Sequence, residues 1–211
     1  ENVIENKIFI ENKMFMEIRG TEKMKNITKE EINIKEFFEK YPNVAIALSG
    51  GVDSVFLVYM AKKYAKSVKA YFVKSVFQPE FEKKDAEKIC RQLGVDLKIL
   101  NVDVLSNKLV TDNPVNRCYY CKQGVFGTIL EAAKNDGMTV ILDGTNASDD
   151  ADDRPGMKAL QEMKVLSPLR MCGYVKSEIR KQSKEAGLFV YNKPSYACLA
   201  TRIPTGTEID E

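Results

Sequence analysis

The chain has 211 residues with 32 basic and 30 acidic side chains, a net charge of +2, so it offers no global electrostatic field for wrapping nucleic acid. An apolar fraction of 44% against 29% charged residues belongs to a globular protein with one substantial core and excludes a disordered chain. There is no histidine, which removes Ser-His-Asp and Cys-His catalysis and every His-ligated zinc or haem site.

No apolar run approaches the ~20 residues needed to cross a bilayer. The N-terminus lacks the basic start, apolar stretch and small-residue cleavage site of a signal peptide. A cytoplasmic protein with no membrane partner is therefore expected, its five cysteines mostly reduced.

Residues 1–30 are rich in Glu, Lys and Asn and carry no motif; they read as an N-terminal arm or as a leader ahead of Met24. Regular organisation begins at Ile32. Ile34, Phe37 and Phe38 share one helical face that ends near Pro42, and Val44–Leu48 is a short apolar run expected as a buried parallel strand. A Gly-rich turn follows, then a helix carrying Val55, Leu57, Val58 and Ala61 to about Lys66. Val68–Val73 is a second strand. Residues 79–93 form an amphipathic helix with Phe81, Ala86, Ile89 and Leu93 inward, closed by Gly94. Leu97–Val102 is a third strand, and a polar stretch from Asp103 to Arg117 leads into a helix from about Tyr119 to Lys134. Thr139–Leu142 is a fourth strand, ending at Asp143-Gly144-Thr145-Asn146. An acidic loop, a helix near 156–163, a Ser-Pro-Leu turn at 167–169 and a helix from Lys176 to about Ala186 complete the order.

Strands alternating with helices at this spacing predict an α/β fold, a doubly wound, mainly parallel Rossmann-like sheet. The domain spans 31–170, with a C-terminal portion starting at 171 and running to 211. Ligands in such sheets sit beyond the carboxyl ends of the strands, where Ser49–Ser54 and Asp143–Asn146 both fall.

The turn reads Ser49-Gly50-Gly51-Val52-Asp53-Ser54 directly after Ala47 and Leu48. Gly50 and Gly51 let the backbone turn sharply and approach a phosphate with no Cβ in the way. The next helix aims its unpaired N–H groups and positive dipole end at the same point. Ser49 and Ser54 add hydroxyls, and Asp53 can hold a magnesium ion bridging phosphates. No Gly-Lys-Ser/Thr follows, so this is not a Walker A loop, and Gly-Gly turns also serve as plain packing devices.

Cys118 and Cys121 form a Cys-X-X-Cys pair, and Cys198 sits in a separate segment. Three thiolates at the ligand end of the sheet suit three irons of a four-iron four-sulfur cluster; a redox pair or half of a zinc site are the other readings. Cys90 reads as core packing, and Cys172 as a conceivable fourth ligand.

The turn resembles the PP-loop of the N-type ATP pyrophosphatases. That likeness implies ATP bound with Mg2+, attack of a substrate oxygen on the α-phosphorus, and release of pyrophosphate in the loop. A more specific likeness rests on five motifs in order. They are Asn113-Pro114-Val115-Asn116-Arg117-Cys118-Tyr119-Tyr120-Cys121-Lys122, Asp143-Gly144-Thr145-Asn146, Arg154-Pro155-Gly156, Ser167-Pro168-Leu169, and the run Pro194 to Gly206 around Cys198. Together they resemble the LarE sulfur transferases.

This resemblance implies adenylation of a carboxylate of pyridinium biscarboxylic acid mononucleotide and its conversion to a thiocarboxylate, for the nickel-pincer cofactor of lactate racemase. Family members with one cysteine sacrifice its sulfur. The three here resemble the cluster-dependent branch, in which Cys118, Cys121 and Cys198 hold a 4Fe-4S cluster that delivers sulfide from a donor. By the same likeness Ala47, Leu48, Lys74, Asp143, Gly144 and Thr145 line the nucleotide. Arg117, Arg154 and Arg202 contact phosphate or the substrate carboxylate, or else make surface ion pairs, and the protein is a homo-oligomer.

Two departures stand out. Ala147–Asp153 is more acidic than the family's usual stretch, and the family continues past the position of Glu211 into substrate and subunit contacts. Other readings are an amide-forming synthetase, a tRNA thiolase or a non-catalytic nucleotide sensor; the first lacks an ammonia source here and the second a basic surface.

Overall fold

The computed structural model describes residues 33–149 and 154–210. The expected arm or leader at 1–30 and residues 150–153 of the acidic loop lie outside the described residues. The elements are α1 (Ile34–Lys40), β1 (Asn43–Ala47), α2 (Val52–Tyr64), β2 (Ser67–Lys74), α3 (Glu80–Leu93), β3 (Asp96–Asn101), α4 (Lys108–Thr111), α5 (Arg117–Asn135), β4 (Val140–Leu142), α6 (Arg154–Glu162), α7 (Pro168–Met171), α8 (Lys176–Glu185) and a 3-10 turn at Leu199–Arg202.

The strands form a parallel sheet in the order β3-β2-β1-β4. From β1 the chain winds outward through β2 to β3, then crosses back to place β4 on the other side of β1. The order therefore reverses between β1 and β4, and the loops leaving these two strands diverge to opposite faces and open a crevice. Alternation along the strands sends Val44, Ile46, Ala70 and Phe72 to one face, where they pack with α1, α2, α3 and Ile179 of α8. Ala45, Tyr71 and Val73 go to the other, against α5 and α6. Both faces are covered, which is why the strands read as unbroken apolar runs. Leu188 and Val190 join the first cluster, so the chain beyond 171 shares the core of the sheet.

A third cluster lies past the strand ends. Phe77, Val104, Val110, Ala200 and Ile209 are buried there, with Tyr120, Cys121 and Ile203 packed on them. The polar stretch 103–117 contains the short helix α4, which its composition conceals. α5 begins at Arg117, before the expected Tyr119, so Cys118 and Cys121 both lie within its first turns.

Phe81 corrects the sequence expectation. It is 40% exposed, and its ring meets Tyr196 edge-on at 5.1 Å and the Lys193 ammonium at 5.0 Å in place of the core. Among the described residues no helix is long and apolar enough to cross a membrane.

Asp136, just after α5, ties that helix to the sheet. It accepts from Tyr71 Oη at 2.8 Å and pairs with Lys69 at 3.0 Å and Lys98 at 3.2 Å. The hydrogen bond from Lys69, then that from Tyr71, holds its carboxyl down at about 2. A carboxylate with a depressed folded pKa contributes stability above its unfolded value of ~3.9, and this contribution is lost as pH falls toward the folded value. We expect Asp136→Asn to lower Tm at neutral pH, with the gap to wild type closing as pH is lowered from about 4 to about 2. A gap independent of pH would sink this account.

Candidate functional site

A cavity of about 300 Å3 opens at the carboxyl ends of β1, β2 and β4. Its polar end is lined by Ser49, Asp53, Ser54, Asp143, Gly144, Thr145 and Asp149, together with the strand-end residues Ala47 and Leu48. Its apolar end is lined by Tyr71, Phe72 and Val73 of β2 and by Val125, Phe126 and Ile129 of α5. Such a space takes a planar ring at one end and anionic groups at the other.

The turn after β1 is held by its two serines. Ser54 Oγ accepts from the Ser49 amide at 3.1 Å, lies 3.0 Å from Ser49 Oγ and donates to the Gly51 carbonyl at 3.1 Å. Gly50 has φ +77, and a Cβ there would lie 2.8 Å from the Glu82 carbonyl oxygen. Gly51 is the N-cap of α2 and supplies no side-chain cap, which leaves the first amides of the helix directed at the crevice. From the other side Gly144 presses on the same turn, and a Cβ on it would fall 2.7 Å from the Ser54 amide nitrogen.

Asp53 stands in the first turn of α2. It accepts from Asn146 Nδ2 at 3.3 Å and pairs with the Lys176 ammonium. Asn146, fully buried, also donates to Asp149 Oδ1 at 2.9 Å, so one amide group orients two carboxylates that both line the cavity. Lys176 was not singled out from the sequence. Its position was the available signal, because a lysine in the first turn of a helix opposes the dipole and is favoured there only by a local anion. Asp143 is buried, which pushes its carboxyl up; hydrogen bonds from Ser167 Oγ (2.5 Å) and Thr145 Oγ1 oppose that shift.

The cysteine segments meet through a buried polar hub. Asn113 has φ +49, is fully buried, and donates to the carbonyls of Pro204 (2.8 Å) and Thr207 (3.0 Å). Its side-chain oxygen accepts from Arg117, whose guanidinium also donates to the Ala200 carbonyl at 2.9 Å. The start of α5 is thereby stapled to the chain around Cys198. The Cys121 thiol is pushed up to about 11, chiefly by burial, with Cys198 and Cys118 adding to the rise and Arg117 opposing it. Cys198, although exposed as a residue, is also raised by local desolvation, with Cys118 among the contributors.

The three thiols are thus within electrostatic range of one another. Among the described residues, no three Cys, Asp or Glu side chains are gathered tightly enough to hold a metal ion. Along α5, Cys121, Val125 and Ile129 follow at four-residue spacing, so one helical stripe runs from the cysteine pair to the cavity wall, about 6 Å per step.

Other expected residues lie elsewhere. Lys74 turns to the Gln78 carbonyl at 2.5 Å and to Glu80 at 3.6 Å, and it does not line the cavity. The guanidinium of Arg202 stacks 5.3 Å from the Tyr196 ring and donates to its hydroxyl at 2.5 Å. Arg154 opens α6, and its side chain lies outside the described residues. Cys172 packs with the first core cluster, where burial and then Glu36 raise it to about 11; Cys90 is buried in that same cluster.

A PP-loop domain family model matches residues 21–153. An uncharacterised protein of Synechocystis is 34% identical over 179 residues, covering 84% of this chain and 66% of its own length. The pyridinium-3,5-bisthiocarboxylic acid mononucleotide synthase of Lactiplantibacillus plantarum is 30% identical over 168 residues, covering 79% and 61%. The chain therefore spans less than two thirds of the length of these two relatives. Among solved structures, the U34-tRNA thiolase NcsA of Methanococcus maripaludis, with its [4Fe-4S] cluster, superposes with a TM-score of 0.58 at 20% identity over 80% of this chain and 68% of its own. The NH3-dependent NAD synthetase of Campylobacter jejuni gives 0.55 at 18% identity over 78% and 76%. At these identities the structural likenesses show a common fold.

Two substitutions test the geometry. Gly144→Ala forces a methyl group into the backbone of Ser54, and chemical denaturation should show a loss of about 1–3 kcal/mol. Asn113→Ala leaves buried carbonyls without donors in a left-handed backbone, and should cost at least ~2 kcal/mol. An Asn113→Ala chain as stable as wild type would show that the hub does not hold the cysteine segments.

Proposed function

The chain belongs to the PP-loop domain family, and on that footing we propose that it is an ATP-dependent sulfur transferase that adenylates a carboxylate and replaces the AMP with sulfur. The observation that carries this reading is the stripe on α5, which links the Cys118–Cys121 pair to the wall of the phosphate-loop cavity, while the Arg117 staple ties the segment of Cys198 to the start of the same helix. A sensor that merely binds nucleotide has no use for thiols there.

ATP binds with its base against Phe72, Phe126 and Ile129 and its β- and γ-phosphates over the amino end of α2. A carboxylate oxygen attacks the α-phosphorus, the bond to the bridging oxygen breaks, and pyrophosphate leaves into the loop. The amides at the start of α2, the hydroxyls of Ser49 and Ser54, and the Lys176 ammonium meet the charge that gathers on this leaving group. Asp53 would hold Mg2+, which would neutralise phosphate charge. A sulfur nucleophile then attacks the acyl carbon and expels AMP, leaving a thiocarboxylate.

The thiols suit an iron-sulfur cluster by their chemistry. They are three soft donors whose thiolate forms repel one another, and a bound cationic centre relieves that repulsion. Cys118, Cys121 and Cys198 would hold a four-iron cluster, and its open iron would supply the sulfide, reloaded by an external donor. The substrate we assign is a pyridinium biscarboxylic acid mononucleotide, on the strength of the Lactiplantibacillus relative. Its product would serve a nickel-pincer cofactor. The near-neutral charge favours this small anion over nucleic acid.

Pyrophosphate release with Mg-ATP and the biscarboxylic nucleotide should fall by roughly a hundredfold in Asp53→Asn. After anaerobic reconstitution, bound iron and sulfide should be lost in Cys118→Ala, Cys121→Ala and Cys198→Ala and kept in Cys90→Ala and Cys172→Ala. A Cys118→Ala protein with its full complement of iron would refute the ligand assignment. ATP binding without any pyrophosphate release would reduce the protein to a sensor.

A further inference from the structure

The chain from Pro194 to Cys198 forms neither helix nor strand, and each of its five residues is exposed. It runs between two clamps, with Tyr196 midway held edge-on to the Phe81 ring and hydrogen-bonded by Arg202. Downstream, the Leu199 amide donates to the Phe77 carbonyl at 3.3 Å, and Arg117 holds the Ala200 carbonyl. Upstream stands Lys193, whose side chain is only 16% exposed. Its ammonium donates to the Gly50 carbonyl at 3.0 Å and to Asp85 Oδ2 at 2.6 Å, and lies 5.0 Å from the centre of the Phe81 ring. The backbone around it is fixed by Arg180 of α8, which donates to the carbonyls of Tyr191 (2.9 Å) and Lys193 (2.8 Å).

The Gly50 carbonyl and the Gly51 amide belong to one planar peptide group, so anchoring the oxygen on one side sets where the N–H points on the other. That N–H belongs to the phosphate turn, where it makes a long hydrogen bond to Ser49 Oγ at 3.4 Å that an anion would replace. A cation hydrogen-bonded to the carbonyl polarises the peptide and strengthens its N–H as a donor, and an anion on the N–H strengthens the carbonyl as an acceptor in return. The coupling is reciprocal by thermodynamic necessity.

We infer that Lys193 is a positioning residue through which occupancy of the phosphate loop fixes the segment carrying Cys198. This rests on the nucleotide reading above and adds to it a timing device. Phosphates in the loop tighten the Gly50–Lys193 bond, and the strap five residues upstream of the thiol loses its freedom. Cys198 is then held in place when an adenylate can form, and is looser when the loop is empty. Asp85 and the Phe81 ring balance the ammonium charge, so Lys193 stays beside the turn when the loop is empty, on a weaker bond to Gly50.

The test is the alkylation rate of Cys198, followed by peptide mass spectrometry in the cluster-free full chain at one fixed pH, with and without Mg-ATP. In wild type, Mg-ATP should slow the reaction roughly tenfold, the factor set by one charge-assisted hydrogen bond. Lys193→Met should react faster than wild type without nucleotide and should lose the nucleotide response, while Lys193→Arg should restore part of it. Asp85→Asn, which keeps the Gly50 bond, provides a second variant and should show an intermediate rate. Equal Cys198 rates in wild type and Lys193→Met, under both conditions and with both chains giving native circular dichroism, would overturn the inference. Binding of fluorescent ATP is followed in parallel. Its absence in wild type would count against the nucleotide reading, and the comparison without nucleotide would still decide the clamp.

Discussion

At 2.7 Å from the amide nitrogen of Ser54, the place a side chain would take on Gly144 is already filled by backbone. This approach sets the width of the crevice. β1 and β4 are neighbours in the sheet, and the turns that leave them have to pass each other within a single peptide thickness. Because the two turns are locked together, Asn146 can reach Asp53, and Ser54 can remain in the serine network that shapes the phosphate turn. A wider gap would separate the acidic end of the cavity from the helix amides whose charge it has to balance.

A second consequence concerns the direction of α5. In a right-handed parallel crossover, the helix leading into β4 must start at the carboxyl edge of the sheet and run back toward the amino edge. Residues at its start therefore lie beside the ligand crevice regardless of their chemistry. Cys118 and Cys121 occupy those first turns, and the same helix face later supplies Val125 and Ile129 to the cavity wall. The far end of α5 is tied down by Asp136, whose partner Tyr71 is itself part of that wall. One helix thus carries the thiols at one end and is anchored through the cavity wall at the other.

Much of this was legible in the sequence because it follows from local pattern. The apolar runs identify the strands, Gly50 and Gly51 mark the turn, and the Cys-X-X-Cys spacing fixes a shared helical face. Contacts spanning a large separation were not legible. Lys176 meets Asp53 from 123 positions away and Lys193 meets Gly50 from 143, and neither periodicity nor spacing encodes such pairs. Phe81 was misread for a related reason. Its place in the amphipathic repeat is that of a core residue, but its partners are Tyr196 and Lys193, more than a hundred positions away. Lys74 sits at the end of β2 as expected, yet the local turn Ser75–Gln78 offers its ammonium a carbonyl before the cavity can.

Arg117, expected from the sequence as a phosphate or substrate contact or a surface ion pair, also has a role inside the fold. A guanidinium next to two thiols and near an anionic substrate invites assignment as a substrate contact. Its Nη1 donates to Asn113 Oδ1 and to the Ala200 carbonyl, both internal to the fold. Its charge nevertheless acts where a ligand's would, since it lowers the thiol pKa values of Cys121 and Cys198 that burial and mutual repulsion raise. Packing three thiols together costs electrostatic energy once more than one of them ionises, and apolar neighbours alone would increase that cost. A cation built into the staple holds the segments together and favours the thiolate form at the same place. Both acceptors are met from the single Nη1 nitrogen, and arginine suits the task because its guanidinium keeps its charge when buried, whereas a buried lysine readily gives up its proton.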